Sequence, residues 1–166
     1  MADYKKTDSD IKEKLVSINR ITKVVKGGRR FGFAALVVVG NQKGSVGIGQ
    51  GKAGEVMSAI NKAKEEAKQN IIKIPLINGT IPHKIISRYG SSQVMLKPAA
   101  PGTGIIAGAA VRAVVEQVGI QNILTKRFGS NNQMNVTKAT IKALTELQDA
   151  FSIASKRGIT IKEVFN

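Results

Sequence analysis

Leu15, Val16, Ile18, Ile21, Val24 and Val25 roughly alternate with polar Ser17, Asn19, Arg20 and Lys23. That period predicts a strand with one face toward a core. Gly27-Gly28 supplies a turn, and Phe31 to Val39 is then almost continuously apolar, as in a strand covered on both faces. Gly40-Asn41-Gln42-Lys43-Gly44 predicts a second hairpin turn, followed by a short strand at Ser45–Gly49. From about Ala53 to Gln69 the period changes to that of a helix, with Val56, Ile60, Ala63 and Ala67 inward. Lys62 with Glu66, and Glu65 with Lys68, would be exposed pairs on it. The first unit is therefore expected to be three antiparallel strands on one helix, in the order βββα.

Pro75, Asn78-Gly79 and Pro82 then cluster, and the boundary between two units is placed there. The division is a polar, mobile tail at 1–12, a first domain at 13–75 and a second at 76–166. In the second, strands are expected at about Lys84–Arg88 and Gln93–Lys97. The loop Pro98 to Gly104 would open a helix from about Ile106 to Val118, with Gly119 as its stop. A strand at Ile120–Phe128 follows. A helix capped by Asn135 or Thr137 then runs to about Asp149, with Ile141, Leu144 and Leu147 inward. Thr160 and Glu163 form a capping-box pattern for a last turn, Thr160 to Phe165. The fold class is α+β.

Charge changes this picture most. Between Glu13 and Glu55 there is no Asp or Glu, while eight Lys or Arg occur. They are Lys14, Arg20, Lys23, Lys26, Arg29, Arg30, Lys43 and Lys52. A surface that omits carboxylates is shaped to lie against phosphate. Of the formal charge of +15 on 166 residues, residues 1–73 carry 15 basic and 7 acidic groups, giving +8, so both halves contribute. Aromatics make up only 4% and there is no Trp, so an aromatic base-stacking platform is poorly supported. The absence of Cys excludes disulfides, thiolate zinc sites and thiol catalysis. A lone His83 cannot build a histidine-rich metal site, and paired carboxylates for acid–base work are missing. No apolar run reaches membrane-span length, and the Asp-bearing first ten residues do not resemble a signal peptide. The reading is of a cytoplasmic, non-enzymatic protein without cofactor or metal, with a nucleic-acid partner.

Two glycine-rich segments need weighing. Gly47-Ile48-Gly49-Gln50-Gly51-Lys52-Ala53 departs from the Walker A pattern at Val46 and at Ala53, so nucleotide hydrolysis is disfavoured. A strand-to-helix turn there could still offer backbone N–H groups to an RNA phosphate. Alternatively, the glycines serve close helix–sheet packing. Gly102-Thr103-Gly104-Ile105-Ile106-Ala107-Gly108 has the wrong spacing for a dinucleotide fingerprint, and no acidic ribose ligand follows. Close packing is the favoured reading, with Gly104, Gly108, Ala109 and Ala110 letting the helix backbone approach its sheet or a protein partner. Arg112 and Glu116 would form an exposed pair or part of a protein interface. Lys126-Arg127 and Gly129-Ser130-Asn131-Asn132 make a basic, polar loop suited to phosphate, and Lys138 and Lys142 share a helix face.

Several segments, taken in order, resemble the bacterial-type small-subunit ribosomal protein S-five family. They are Asn19-Arg20-Ile21, Val25 to Phe33, Val38-Val39-Gly40, Val46 to Ala53, Lys97 to Gly108, Ala113-Val114, Gly129-Ser130 and Asn135-Val136. The match extends over about residues 11–166. Gly32, Gly54 and Gln133 depart from the commoner residues of that pattern.

The resemblance implies a first domain similar to a double-stranded-RNA-binding fold and a second α+β domain with a left-handed βαβ crossover. It implies binding to small-subunit rRNA, a position lining the path by which mRNA enters, and ribosomal proteins S-four and S-eight as neighbours, with no homo-oligomer. The tip containing Lys23, Val25, Lys26 and Gly27 matches a loop near the head–body junction where changes confer spectinomycin resistance. Gly104 and Arg112, with Gly108 on the same face, match the surface against protein S-four that governs decoding accuracy. The expected RNA-binding set is Arg20, Lys23, Lys26, Gly27, Gly28, Arg29, Arg30, Phe31, Lys52, Lys126 and Arg127. A free-standing double-stranded-RNA-binding factor is the alternative reading.

Overall fold

The computed structural model describes residues 11–164. The tail expected at 1–12 falls mostly outside them, and so does Phe165. Strand β1 (Lys12–Val25) starts inside the expected tail. It pairs antiparallel with β2 (Gly28–Gly40) around a two-residue turn, Lys26-Gly27. Gly27 has φ +95°, which a side chain would oppose. Strand β3 (Ser45–Ala53) follows, then helix α1 (Val56–Gln69) and a two-residue strand β4 (Ile72–Lys73). The first sheet has the order β1-β2-β3-β4, with β2 internal as its apolar run requires. The unforeseen β4 is too short to show a period, and is defined only by pairing with Ser45 and Val46.

Alternation along β2 divides the buried residues. Ala35, Val37 and Val39 face α1, where Ala59, Ala63 and Ala67 are fully buried. The Ala stripe exists because α1 lies almost on the sheet. A Cβ added at Gly47, Gly49 or Gly51 would stand 2.1, 2.0 or 2.0 Å from the carbonyl oxygen of Ala67, Ala63 or Ala59. These glycines lie inside β3, not in a strand-to-helix turn. The phosphate-cradle reading is thus corrected in favour of helix–sheet packing. Beyond the short β4, the edge of β3 is capped from α1, as Gln50 N donates to Glu66 Oε2 at 2.7 Å. Lys64 Nζ reaches Glu13 at 2.5 Å and ties α1 to β1.

The second sheet is built from β5 (Ile85–Tyr89), β6 (Ser92–Pro98), β7 (Ile105–Ile106) and β8 (Ile123–Gly129). Its order is β5-β6-β8-β7. Helix α2 (Ala109–Val118) joins β7 to β8, which lie parallel, so β7-α2-β8 is a βαβ unit. The loop from Pro98 therefore leads into a strand, and α2 begins three residues later than expected, because Ile105 and Ile106 pair with Ile123 and Leu124. Gly119 ends α2 with φ +95°. Helix α3 (Gln133–Thr145) is capped by Asn132, earlier than expected, and its side chain accepts from Met134 N and Asn135 N. Helix α4 (Ala150–Arg157) was not foreseen, and α5 (Ile161–Val164) completes the described chain. Thr160 N donates to Glu163 Oε2 at 2.9 Å, half of the expected capping box.

The two units share a core. Val38 and Val46, on the sheet face turned away from α1, belong to the same buried cluster as Val111, Val114, Val115 and Val118 of α2 and Leu144 of α3. The β2–β3 loop grips the end of α2: Gln42 N and Gly44 N donate to the carbonyls of Gln117 and Val118 at 3.0 and 2.9 Å. Lys14 of β1 forms an ion pair with Glu116. Glu116 is thus turned from Arg112, whose Nη2 donates to the carbonyl of Ile105 at 3.0 Å. The exposed Arg112–Glu116 pair is replaced by these two contacts.

Candidate nucleic-acid interface

Beyond Phe33, β2 has no partner on its β3 side, since Phe33 is paired with Ala53, the last residue of β3. The remainder of β1 and β2 projects as a two-stranded arm. Residues 18–24 and 26–31 are all exposed. The alternation that predicts a strand here does not mark a covered face. Ile18 and Ile21 are exposed, and Val24 near the tip is 78% exposed.

The strand register sorts the arm's cations. Lys23 stands opposite Arg30 on one face, with Ile21 and Gly32 beside them. Arg29 stands opposite Val24 on the other face, with Arg20, Phe31 and Phe33. The Arg20 guanidinium lies 3.8 Å from the Phe31 ring centroid, a stacking contact that stiffens an otherwise unsupported ribbon. Lys26 and Gly27 form the turn, and Val25 pairs with Gly28 just below it. The arm thus brings together nine of the expected RNA-binding or tip residues, carries charge on both faces and contains no carboxylate.

The face bearing Lys23 and Arg30 runs on into the body. There Ser17, Asn19, Ile21, Leu36, Gln50 and Lys52 form one side of a groove of about 580 Å³. The other side is Asn131 to Asn135, the start of α3. Lys52 therefore joins the arm through strand parity and not through a phosphate loop. Asn19 and Gln50 were not singled out in the sequence. The signal that could have found them is their period-two spacing from Lys23 and Lys52. Lys126 and Arg127 lie apart, on β8. They line a smaller cavity of about 260 Å³ with Gly108 and Asn131, and Arg127 Nη1 donates to the carbonyl of Gly129 at 2.6 Å.

Of the residues expected to face a protein, Gly108 shares this cavity with Lys126 and Arg127, while Gly104 and Arg112 do not line it. Gly104, at φ +74°, has nothing within 4 Å of where a Cβ would be, and Gly108 is equally open. Packing against the sheet therefore fails at both, and the surface they leave is open. Gly104 N donates to Asn122 Oδ1 at 3.1 Å, which fixes the loop. Ile106 beside it is 52% exposed. Arg112 borders a hollow of about 590 Å³ with Gln42, Ile105 and Glu116.

Among the described residues, no three His, Cys, Asp or Glu side chains gather as metal ligands. No described helix is long and apolar enough to cross a membrane. His83 Nε2 accepts from Gln148 N at 3.2 Å, a local tether at the surface.

Comparison with known proteins shows which family the chain resembles. The family model "Ribosomal protein S5, N-terminal domain" matches residues 11–75, and "Ribosomal protein S5, C-terminal domain" matches residues 87–157. A Bacteroides thetaiotaomicron protein named small ribosomal subunit protein uS5 is 53% identical over 158 residues, 95% of this chain and 92% of its own. Proteins of that name from Chloroflexus aurantiacus and Thermotoga neapolitana are 54% and 55% identical, over 93% and 94% of this chain and 87% and 88% of their own. Matches of this extent define a structural ribosomal protein and not an enzyme. The chain belongs to the ribosomal protein S5 family.

Proposed function

We propose that this chain is a structural constituent of the small ribosomal subunit in the cytoplasm, binding small-subunit rRNA through its projecting arm. The observation that carries the reading is a two-stranded ribbon exposed on both faces, with Lys23, Lys26, Arg29 and Arg30 and no carboxylate. Such a ribbon neutralises phosphates, releases counterions and reads RNA by shape. The first unit, 13–75, has three long antiparallel strands with a helix on one face, which supports likeness to a double-stranded-RNA-binding domain. The second, 76–166, contains the parallel β7-α2-β8 unit, for which the family resemblance implies a left-handed crossover.

The same reading assigns the tip Lys23, Val25, Lys26 and Gly27 to the head–body junction and to the spectinomycin response. The arm and its basic surroundings lie toward the path by which mRNA enters. The open surface at Gly104, Gly108 and Arg112 meets protein S-four and contributes to translational accuracy, and protein S-eight is a further neighbour. Support for that surface is its vacancy: Gly104 and Gly108 lack any neighbour a side chain would touch.

Sucrose-gradient sedimentation of a cell lysate tests the reading. The chain is expected in the small-subunit peak after a high-salt wash. Recovery in the soluble fractions would favour a free double-stranded-RNA-binding factor.

A further inference from the structure

The groove between the first sheet and the start of α3 has a chemistry different from the arm's. Lys52 is its only cation, and it has no carboxylate. Its polar lining is chiefly carboxamide, from Asn19, Gln50, Asn131 and Gln133. Among the described residues none of these four side chains makes a hydrogen bond, whereas Asn132 beside them is committed to capping α3. Ile21 and the buried Leu36 supply apolar surface between them.

A site for phosphate alone would present cations or backbone N–H groups. This one presents side chains that both donate and accept, over an apolar floor, with one positive charge at the margin. Those are the requirements of a nucleotide: a flat ring, an edge of donors and acceptors, and one anionic linkage. The volume, about 580 Å³, is within the range of ligand pockets, roughly 300–1,000 Å³. A paired base could not enter, because in an A-form helix its Watson–Crick edge is committed to its partner and its faces are stacked.

We propose that this groove receives one unpaired nucleotide of the RNA, its base edge read by the carboxamides and its phosphate held by Lys52. The inference rests on the RNA-binding reading above and deepens it. The placement is consistent, because Lys23 and Arg30 lie on the same sheet face as Ile21. They are next in line by two residues, roughly 7 Å along the strand at ~3.4 Å per residue. A helix held by the arm would thus present a base extruded beside it directly to the groove.

The test uses the full chain with two probes, a fully paired RNA duplex and the same duplex carrying one unpaired nucleotide. The bulged RNA should bind more tightly by roughly tenfold or more for at least one base identity. Asn19→Ala combined with Gln133→Ala, both exposed positions, should abolish that preference and leave duplex affinity and its salt dependence unchanged. Lys26→Ala combined with Arg29→Ala should weaken both RNAs and keep their ratio. Equal binding of the two RNAs by the wild-type chain, or a preference that survives the carboxamide substitutions, overturns the nucleotide site alone. Failure to bind either RNA overturns the RNA reading as well.

Discussion

Single residues decide how closely the backbones approach. Gly49 and Gly54 are five positions apart in a glycine-rich run, yet their surroundings are opposite. A Cβ on Gly49 would meet the Ala63 carbonyl at 2.0 Å and the Ala67 amide nitrogen at 2.4 Å, whereas one on Gly54 would meet nothing within 4 Å. Gly49→Ala must push α1 off the sheet and should cost about 1–3 kcal/mol or more. Gly54→Ala should change stability by less than about 0.5 kcal/mol. Urea denaturation of the two variants checks this, and equal stabilities would refute the packing argument. Lys14 and Glu116 carry less weight, since both side chains keep about a third or more of their exposure (40% and 32%), and such pairs contribute about 0–1 kcal/mol.

Elements were legible to the extent that their hydrogen bonds are local. The helix ending at Gln69 could be read from Ala63 and Ala67, because a helix carries its period within itself. Gly119 likewise marked its own helix end. Strand β3 was read only as far as Gly49; its continuation to Ala53 could not be read, because its bonds go to Leu36 and its neighbours in β2 and its packing is against α1. The two-residue strands β4 and β7 are too short for any period. Alternation in β1 announced a strand but not that its far half stands free. That free half has a dynamic consequence. A two-stranded ribbon is marginally stable on its own, and only its register, its turn and the Arg20–Phe31 contact hold the arm. In the isolated protein the arm's hydrogen-bonded amides between 21 and 32 should exchange at least about 100-fold faster than those of 35–39. Hydrogen exchange resolved by residue measures this, and uniform protection along β2 would contradict it.

At the scale of the whole molecule, the two units expected from the sequence are joined by a common core. The joint was placed around Pro75 to Pro82 from its turn residues; one family model ends at residue 75 and the other begins at residue 87. What the sequence did not reveal is that α2, from the second unit, covers the rear of the first sheet and shares a core with Val38 and Val46. Neither unit can bury that surface alone. Unfolding should therefore be one transition, coincident when followed by far-ultraviolet circular dichroism and by side-chain resonances of either unit. Two separated transitions would mean that the shared core contributes little. The shared core also gives the arm a fixed base, because β2 continues from the arm into buried Val38, and the Lys14–Glu116 and Lys64–Glu13 pairs add little to it.

The central claim is that the carboxylate-free arm holds rRNA by its phosphates. Its most direct test is the salt dependence of binding to small-subunit rRNA, for the wild-type chain and for a variant with Lys23, Lys26, Arg29 and Arg30 all changed to Ala. If each cation meets a phosphate, the slope of log K against log salt should become shallower by roughly 3–4 in the variant. Unchanged slopes would contradict the account, because the RNA would then be held elsewhere and the arm would have another use.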